Sequence, residues 1–150
     1  MTEIAFYQLR TASLEQTLPK LLEKTLAAGK RALVLVRSVE RIESLNGHLW
    51  TYEAESWLPH GSVSDGDGEH QPVLLSSDDK NINGANFLFL VDGAASDRVA
   101  DFDRCFEIFD GRDTEALDAA RTRWKDYASN GHKLTYWLQS EVGGWEKKEA

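Results

Sequence analysis

An α/β layer fold, with a mostly parallel central sheet covered by helices on both faces (three layers, α/β/α), is the class this sequence predicts. Two observations predict it. Strand-like and helix-like segments alternate along the chain. The run at residues 32–36 (ALVLV) is apolar without interruption, which suits a strand covered on both sides, as in a parallel sheet. At 150 residues the chain has the size of a single domain around one core, and no internal repeat or long linker divides it.

Residues 4–9 (IAFYQL) are rich in strand formers and open the fold. Ser13, followed three residues on by Gln16, has the pattern of a capping box, and Leu14, Leu18, Leu21, Leu22 and Leu26 then recur at helical spacing up to Gly29. Pro19 falls inside that pattern, so this helix either starts later, capped near Thr17, or bends in its first turns. Ser38 is placed to cap a second helix with Val39, Ile42, Leu45 and Leu49 facing inward. Residues 56–61 (SWLPHG) are expected to form a loop, and 62–70 (SVSDGDGEH) an acidic, glycine-rich and mobile one. Short strands are expected at 73–75, 87–91 (FLFLV) and 105–109 (CFEIF), the second buried and the third half-exposed through its Phe106, Ile108 alternation. Asp113 or Thr114 caps the last helix, whose inner stripe is Leu117, Ala120, Trp124 and Tyr127 and whose stop is Asn130-Gly131. Residues 134–138 (LTYWL) read as a closing strand, and the chain from about 140 to 150 as a frayed tail.

Composition narrows the function. Hydrophobic residues at 41% and charged residues at 28% are ordinary for a globular chain, but the net charge is −8. Gripping DNA through phosphates needs a surplus of Lys and Arg, so direct duplex binding is disfavoured. Cys105 is the only cysteine, which removes intrachain disulfides and thiolate metal clusters. No secretory signal pattern is read at the start, and no apolar run approaches the length of a membrane helix; the expected location is cytoplasmic.

The usual chemical motifs are missing. Neither G-x-x-x-x-G-K-[ST] nor G-x-G-x-x-G occurs, so the alternation looks nucleotide-binding without a phosphate loop. Asp92-Gly93 and Asp110-Gly111 each follow a strand, where the carboxyl ends of an open sheet hold ligands; the pair offers either a Mg²⁺ site for phosphotransfer or plain turn chemistry. Asp65, Asp67 and Glu69 alternate with glycines but do not complete a calcium loop. His48, His60, His70 and His132 show no metal-ligand spacing.

Residues 121–137 (RTRWKDYASNGHKLTYW) carry the strongest signal. Arg121, Arg123, Lys125 and Lys133 face a single acid, Asp126, a local inversion of sign in an acidic chain. On a helix Arg121 and Lys125 are neighbours, with Trp124 beside them at the seam of core and cationic face. Such a set suits a ligand that joins a carboxylate to an apolar side chain. A solvated basic helix face with a packed Trp124 explains the same pattern.

The order and spacing of several pieces resemble the chi subunit family of bacterial DNA polymerase III. The pieces are Phe6-Tyr7-Gln8-Leu9, LPKLLEK…AGKRALV over 18–34, Leu49-Trp50, SWLPHG, PVLL over 72–75, Phe109-Asp110-Gly111, and A-R-x-R-W-K-x-Y…G-H-x-L-x-Y-W over 120–137. The resemblance implies a non-catalytic accessory subunit, without cofactor, that links the clamp loader through the psi subunit to the C-terminal tail of single-stranded-DNA-binding protein. That tail is acidic and ends in Pro-Phe with a free carboxylate. By this resemblance Arg121 meets the terminal carboxylate, Trp124 lines the pocket for the terminal Phe, Lys125 faces the tail acids, and Tyr136 completes the site. Leu117 stands where the family carries a basic residue one turn before Arg121. Two alternatives remain beside it: a Mg²⁺-dependent phosphotransfer enzyme built on Asp92 and Asp110, and direct single-strand binding by Trp57, Trp124 and Lys125.

Overall fold

The computed structural model of the chain describes residues 2–51, 61–62, 71–142 and 144–148. In chain order the elements are β1 (Glu3–Leu9), α1 (Leu14–Ala27), β2 (Ala32–Leu35), α2 (Val39–Thr51), β3 (Gly61–Ser62), β4 (Val73–Ser76), β5 (Phe87–Val91), β6 (Arg104–Asp110), α3 (Thr114–Ser129), β7 (Lys133–Gln139) and β8 (Trp145–Lys148). Among the described residues the strands form one eight-stranded sheet in the order β3-β4-β2-β5-β6-β1-β7-β8. Every pairing in it is parallel except that of β8 with β7. Of the two loops expected over 56–70, Gly61 and Ser62 form β3, while Trp57, His60, Asp65, Asp67, Glu69 and His70 lie outside the described residues. No helix among the described residues is long and apolar enough to cross a membrane.

The helix ends are set by side chains that satisfy the first free backbone N–H groups. The Ser13 hydroxyl accepts from the Gln16 N–H at 3.3 Å, and the Gln16 amide oxygen accepts from the Ser13 N–H at 2.9 Å. This capping box starts α1 at Leu14, and the helix runs on through Pro19 to Ala27, so the later start near Thr17 is not taken. Ser38 caps α2 by accepting from the Arg41 N–H. Ile42, Leu45 and Leu49 turn inward as expected, whereas Val39 is 54% exposed because it sits in the first turn, ahead of the stripe that meets the sheet. Asp113, rather than Thr114, caps α3 by accepting from the Glu115 and Ala116 N–H groups. Gly131 ends that helix with φ +80°, a left-handed conformation that favours glycine, and the His132 N–H closes back on the Tyr127 carbonyl.

The sheet divides the core into two layers. Leu14, Leu18 and Leu22 of α1 and Ile42, Leu45 and Leu49 of α2 pack on Ala5, Val34, Phe89, Phe106 and Ile108. On the opposite face Ala120 of α3, with Leu117, Trp124 and Tyr127 partly buried around it, packs on Ile4, Phe6, Leu88, Cys105 and Phe109. Two expectations are corrected here. β6 is not half-exposed: it lies between β5 and β1 with a helical layer on each side, so residues 105–109 are all buried, Glu107 included. The segment expected to fray contains β8, which continues the sheet by pairing Tyr136 with Lys148 and Trp137 with Lys147.

The turn after β1 explains why a nucleotide-binding shape lacks a phosphate loop. The N–H groups of Arg10, Thr11 and Ala12 all point at one acceptor, the side-chain oxygen of buried Gln139, at 3.0, 2.9 and 2.9 Å. Converging amides of this kind make an anion cradle when empty. Here β7 fills the cradle with an uncharged amide and ties the loop to the sheet. Gln139→Leu should therefore strand three N–H groups and lower the unfolding free energy by about 2–3 kcal/mol, read from urea denaturation. An unchanged midpoint would mean the three bonds contribute nothing net.

Candidate functional site

The setting of α3 on the sheet depends on a buried polar knot. Glu107, 1% exposed, accepts from Arg123 Nε at 2.8 Å and from the Tyr127 hydroxyl at 2.7 Å. Burial raises the Glu107 pKa, while Arg123 and the Tyr127 hydrogen bond pull it down. Burial also drives the Tyr127 phenol far up, reinforced by the neighbouring carboxylate, so it stays a donor. Arg123 was visible in the sequence only as part of a basic run; its role is to meet a carboxylate that the strand pattern had placed in solvent. Cys105 beside this knot is fully buried and its thiol is pushed well above its usual range, chiefly by desolvation, which leaves it unreactive.

With α3 held in this rotation, Arg121, Trp124, Lys125 and Tyr136 line one hollow of about 550 Å³. The four residues singled out in the sequence thus lie together. The floor is aromatic: Trp124 stands edge-on to Phe6 at 5.2 Å and to Tyr136 at 5.8 Å, and Phe6 stacks under Tyr136 at 6.2 Å. Burial raises the Tyr136 phenol, against the pull of the nearby Arg121 charge, and its hydroxyl donates to the Gln8 side-chain oxygen. Arg121 meets Asp118 at 3.7 Å, but both are exposed, so the contact is weak and the guanidinium remains available to a ligand.

Three further residues complete the wall: Gln8, Leu117 and Lys148. Leu117 adds apolar surface where the resemblance had called for a base. Lys148 supplies a cation from the other side of the hollow, placed there by its register opposite Tyr136. Nothing in the local sequence reveals this, because it depends on β8 pairing. The Gln8 side chain lies close against Gly111 in the turn after β6. A Cβ added at Gly111 would come within 2.8 Å of the Gln8 Cδ, so glycine in Phe109-Asp110-Gly111 leaves room for the side chain that orients Tyr136.

The rival aspartates also lie together, in a depression of about 530 Å³ at the carboxyl ends of the strands. Each is already matched by an arginine. Asp92 accepts from Arg41, which also pairs with Glu15, and Asp110 meets Arg112 at 2.8 Å. Partial burial raises the Asp110 carboxyl, but the Arg112 bonds outweigh it and hold the group below its usual range. Asp92 has φ 52° and Gly93 φ 79°, and the Ala94 N–H closes on the Val91 carbonyl, which is turn geometry. Among the described residues no group of three His, Cys, Asp or Glu side chains is arranged to hold a metal ion. A magnesium ion at this crevice would have to displace two guanidinium groups.

Comparison with known proteins bears on the same chain. The family model described as "DNA polymerase III chi subunit, HolC" matches residues 1–135. A relative from Rickettsia prowazekii, named probable DNA polymerase III subunit chi, is 24% identical over 152 aligned residues, covering 98% of this chain and 92% of its own. One from Pseudomonas aeruginosa, named DNA polymerase III subunit chi, is 26% identical over 137 residues, covering 89% of this chain and 94% of its own.

The polar knot has a pH signature. Because its pKa is raised in the fold, the Glu107 carboxyl keeps its proton to a higher pH than in the unfolded chain. The stability linked to it therefore falls as pH rises from the ordinary carboxylate range through the raised value. Glu107→Gln keeps an acceptor and removes the titration. Denaturation curves of both proteins between about pH 4 and pH 8 should show the wild type losing stability relative to the variant as pH rises; the opposite slope contradicts the assignment.

Proposed function

Because this chain belongs to the DNA polymerase III chi subunit family, we propose that it is a non-catalytic accessory subunit of the bacterial replicative holoenzyme that links the clamp-loader complex to the acidic C-terminal tail of single-stranded-DNA-binding protein. The observation that carries this reading is the single hollow in which Arg121, Lys125 and Lys148 surround the rings of Trp124 and Tyr136. The guanidinium offers two parallel donors to a chain-terminal carboxylate. The adjoining apolar wall of Leu117, Trp124 and Tyr136 receives the phenyl ring of the last residue, and the two lysines face the acids that precede it. DNA is reached indirectly, through the protein that coats it, and a chain of net charge −8 avoids nonspecific phosphate binding of its own. A psi subunit, where the organism has one, connects the chain to the clamp loader. Lack of catalysis is supported by the strand-end crevice, whose carboxylates are matched by arginines, and by the loop after β1, whose amides are taken by Gln139.

Burying one Phe side chain contributes roughly 1.5–3 kcal/mol before association costs, so affinity should be modest. Arg121→Ala should weaken a peptide ending in Pro-Phe by at least about 1.5 kcal/mol, roughly tenfold, in calorimetry. Amidating the peptide's C-terminus should have a comparable effect on the wild type and little on the variant. Equal affinity of the two proteins for the free-acid peptide would remove Arg121 from the site. Lys148→Glu should lower affinity several-fold while leaving the unfolding midpoint unchanged, and the loss should shrink in high salt; a full-strength complex would show that β8 takes no part.

A further inference from the structure

Beyond that reading, and independently of it, we propose that the opposite face of the same sheet edge is a second docking surface, for an internal acidic segment of a partner polypeptide that carries an aromatic side chain. Residues on β7 and β8 alternate between faces. Tyr136 and Lys148 turn toward α3; Trp137, with Lys147 opposite it, and Trp145, opposite Gln139, turn the other way. On that side α1 covers β1 only in part. Between the helix and the last strands lies a hollow of about 780 Å³, lined by Tyr7, Lys20, Lys24, Trp137, Val142 and Trp145 among others.

Its back wall is a preformed aromatic cluster. Tyr7 stacks on Trp137 at 6.3 Å and meets Trp145 edge-on at 5.0 Å. At its mouth Val142 is 95% exposed, a large apolar side chain with no packing role in the chain itself. The charge is one-sided. Lys20 and Lys24 are exposed, one turn apart on α1, and neither forms an ion pair with a described residue. The acid at the far end, Glu141, meets Arg10 at 3.5 Å. In an acidic protein this is again a local excess of positive charge against aromatic surface. Charge complementarity selects an acidic segment over a basic or neutral one. Two lysines separated by a helical turn are point charges that match acids in series, with no planar fork for a chain-terminal carboxylate. A nucleic acid strand fits less well, since the surrounding acidic surface repels a long polyanion more than a short peptide.

The probe is a peptide acetylated and amidated at its ends, carrying a Phe flanked by aspartates, titrated into the full chain and followed by indole N–H shifts in NMR spectra. Saturable binding that moves the Trp137 and Trp145 signals is expected. It should weaken at least tenfold in the double variant Lys20→Glu, Lys24→Glu, whose positions are exposed and whose fold should persist, and it should survive Arg121→Ala. Absence of saturation at millimolar peptide, insensitivity to the charge reversal, or loss of binding in Arg121→Ala would each overturn the proposal. So would tighter, equally lysine-dependent binding of a single-stranded oligonucleotide, which would make the surface a nucleic-acid site. Since blocked ends deprive the Arg121 hollow of its carboxylate, failure here leaves the tail reading untouched, and failure of the tail reading leaves this one untouched.

Discussion

A carboxylate buried under a helix is the constraint on which the candidate site rests. α3 has a weak claim on the core: Ala120 alone is fully buried, and Leu117, Trp124 and Tyr127 are half-covered. Apolar burial of that extent holds a helix against a sheet without defining its rotation sharply. The bonds from Arg123 and Tyr127 to Glu107 do define it, because a displaced α3 would leave an ionised group in a region of low dielectric. Arg123 is two residues from Arg121 and one from Trp124, so the bond that orients the first aims the other two. Phe6 supplies the complementary apolar contact from β1, in edge-on reach of both Trp124 and Tyr127 and stacked on Tyr136.

The shape is that of a nucleotide-binding sheet, and the places such folds use are filled from within. The loop after β1, where a phosphate cradle would stand, gives its three amides to Gln139. The strand-end aspartates, where a metal would stand, hold Arg41 and Arg112. Both substitutions exchange a ligand for a side chain of the protein, and they tie the β1–α1 loop to β7 and α2 to β5. The polar groups of the fold's ordinary crevice thus become part of its scaffold, and the hollows that set lysines beside Trp and Tyr rings lie at the β7–β8 edge instead.

What could be read from the sequence follows from the range of the interactions involved. Helix ends at Ser13, Ser38 and Asp113 are local, set by a side chain and a backbone N–H two or three residues away, and the pattern carries them. Arg121, Trp124 and Lys125 fall on one helix, so spacing alone brings them together. Errors arose where a distant partner decides the outcome. Alternation in CFEIF suggested a solvent face because Glu107 is charged, yet Arg123, sixteen residues on, makes its burial possible. Two glycines and a charged end suggested fraying after residue 140, yet pairing with β7 holds Trp145 through Lys148 in the sheet. Lys148 and Gln8 were missed for the same reason: one enters the hollow through strand register, the other through the space left by Gly111.

The β7–β8 hairpin also explains why an acidic protein concentrates positive charge where it does. A strand pair at the edge of a sheet has two faces and only one helix near each, so the side chains of alternate residues emerge into two hollows back to back. Tyr136 and Lys148 serve one, Trp137 and Trp145 the other. The flanking helices add Arg121 and Lys125 on one side and Lys20 and Lys24 on the other, so cations reach both hollows while the rest of the surface stays acidic. An edge strand with free backbone groups is itself a pairing hazard, and the charged Glu146, Lys147 and Lys148 of β8 discourage pairing with another chain. The lysines that protect the edge are thus placed where an acidic ligand would meet them, so protection of the sheet and attraction of such a ligand call for the same residues.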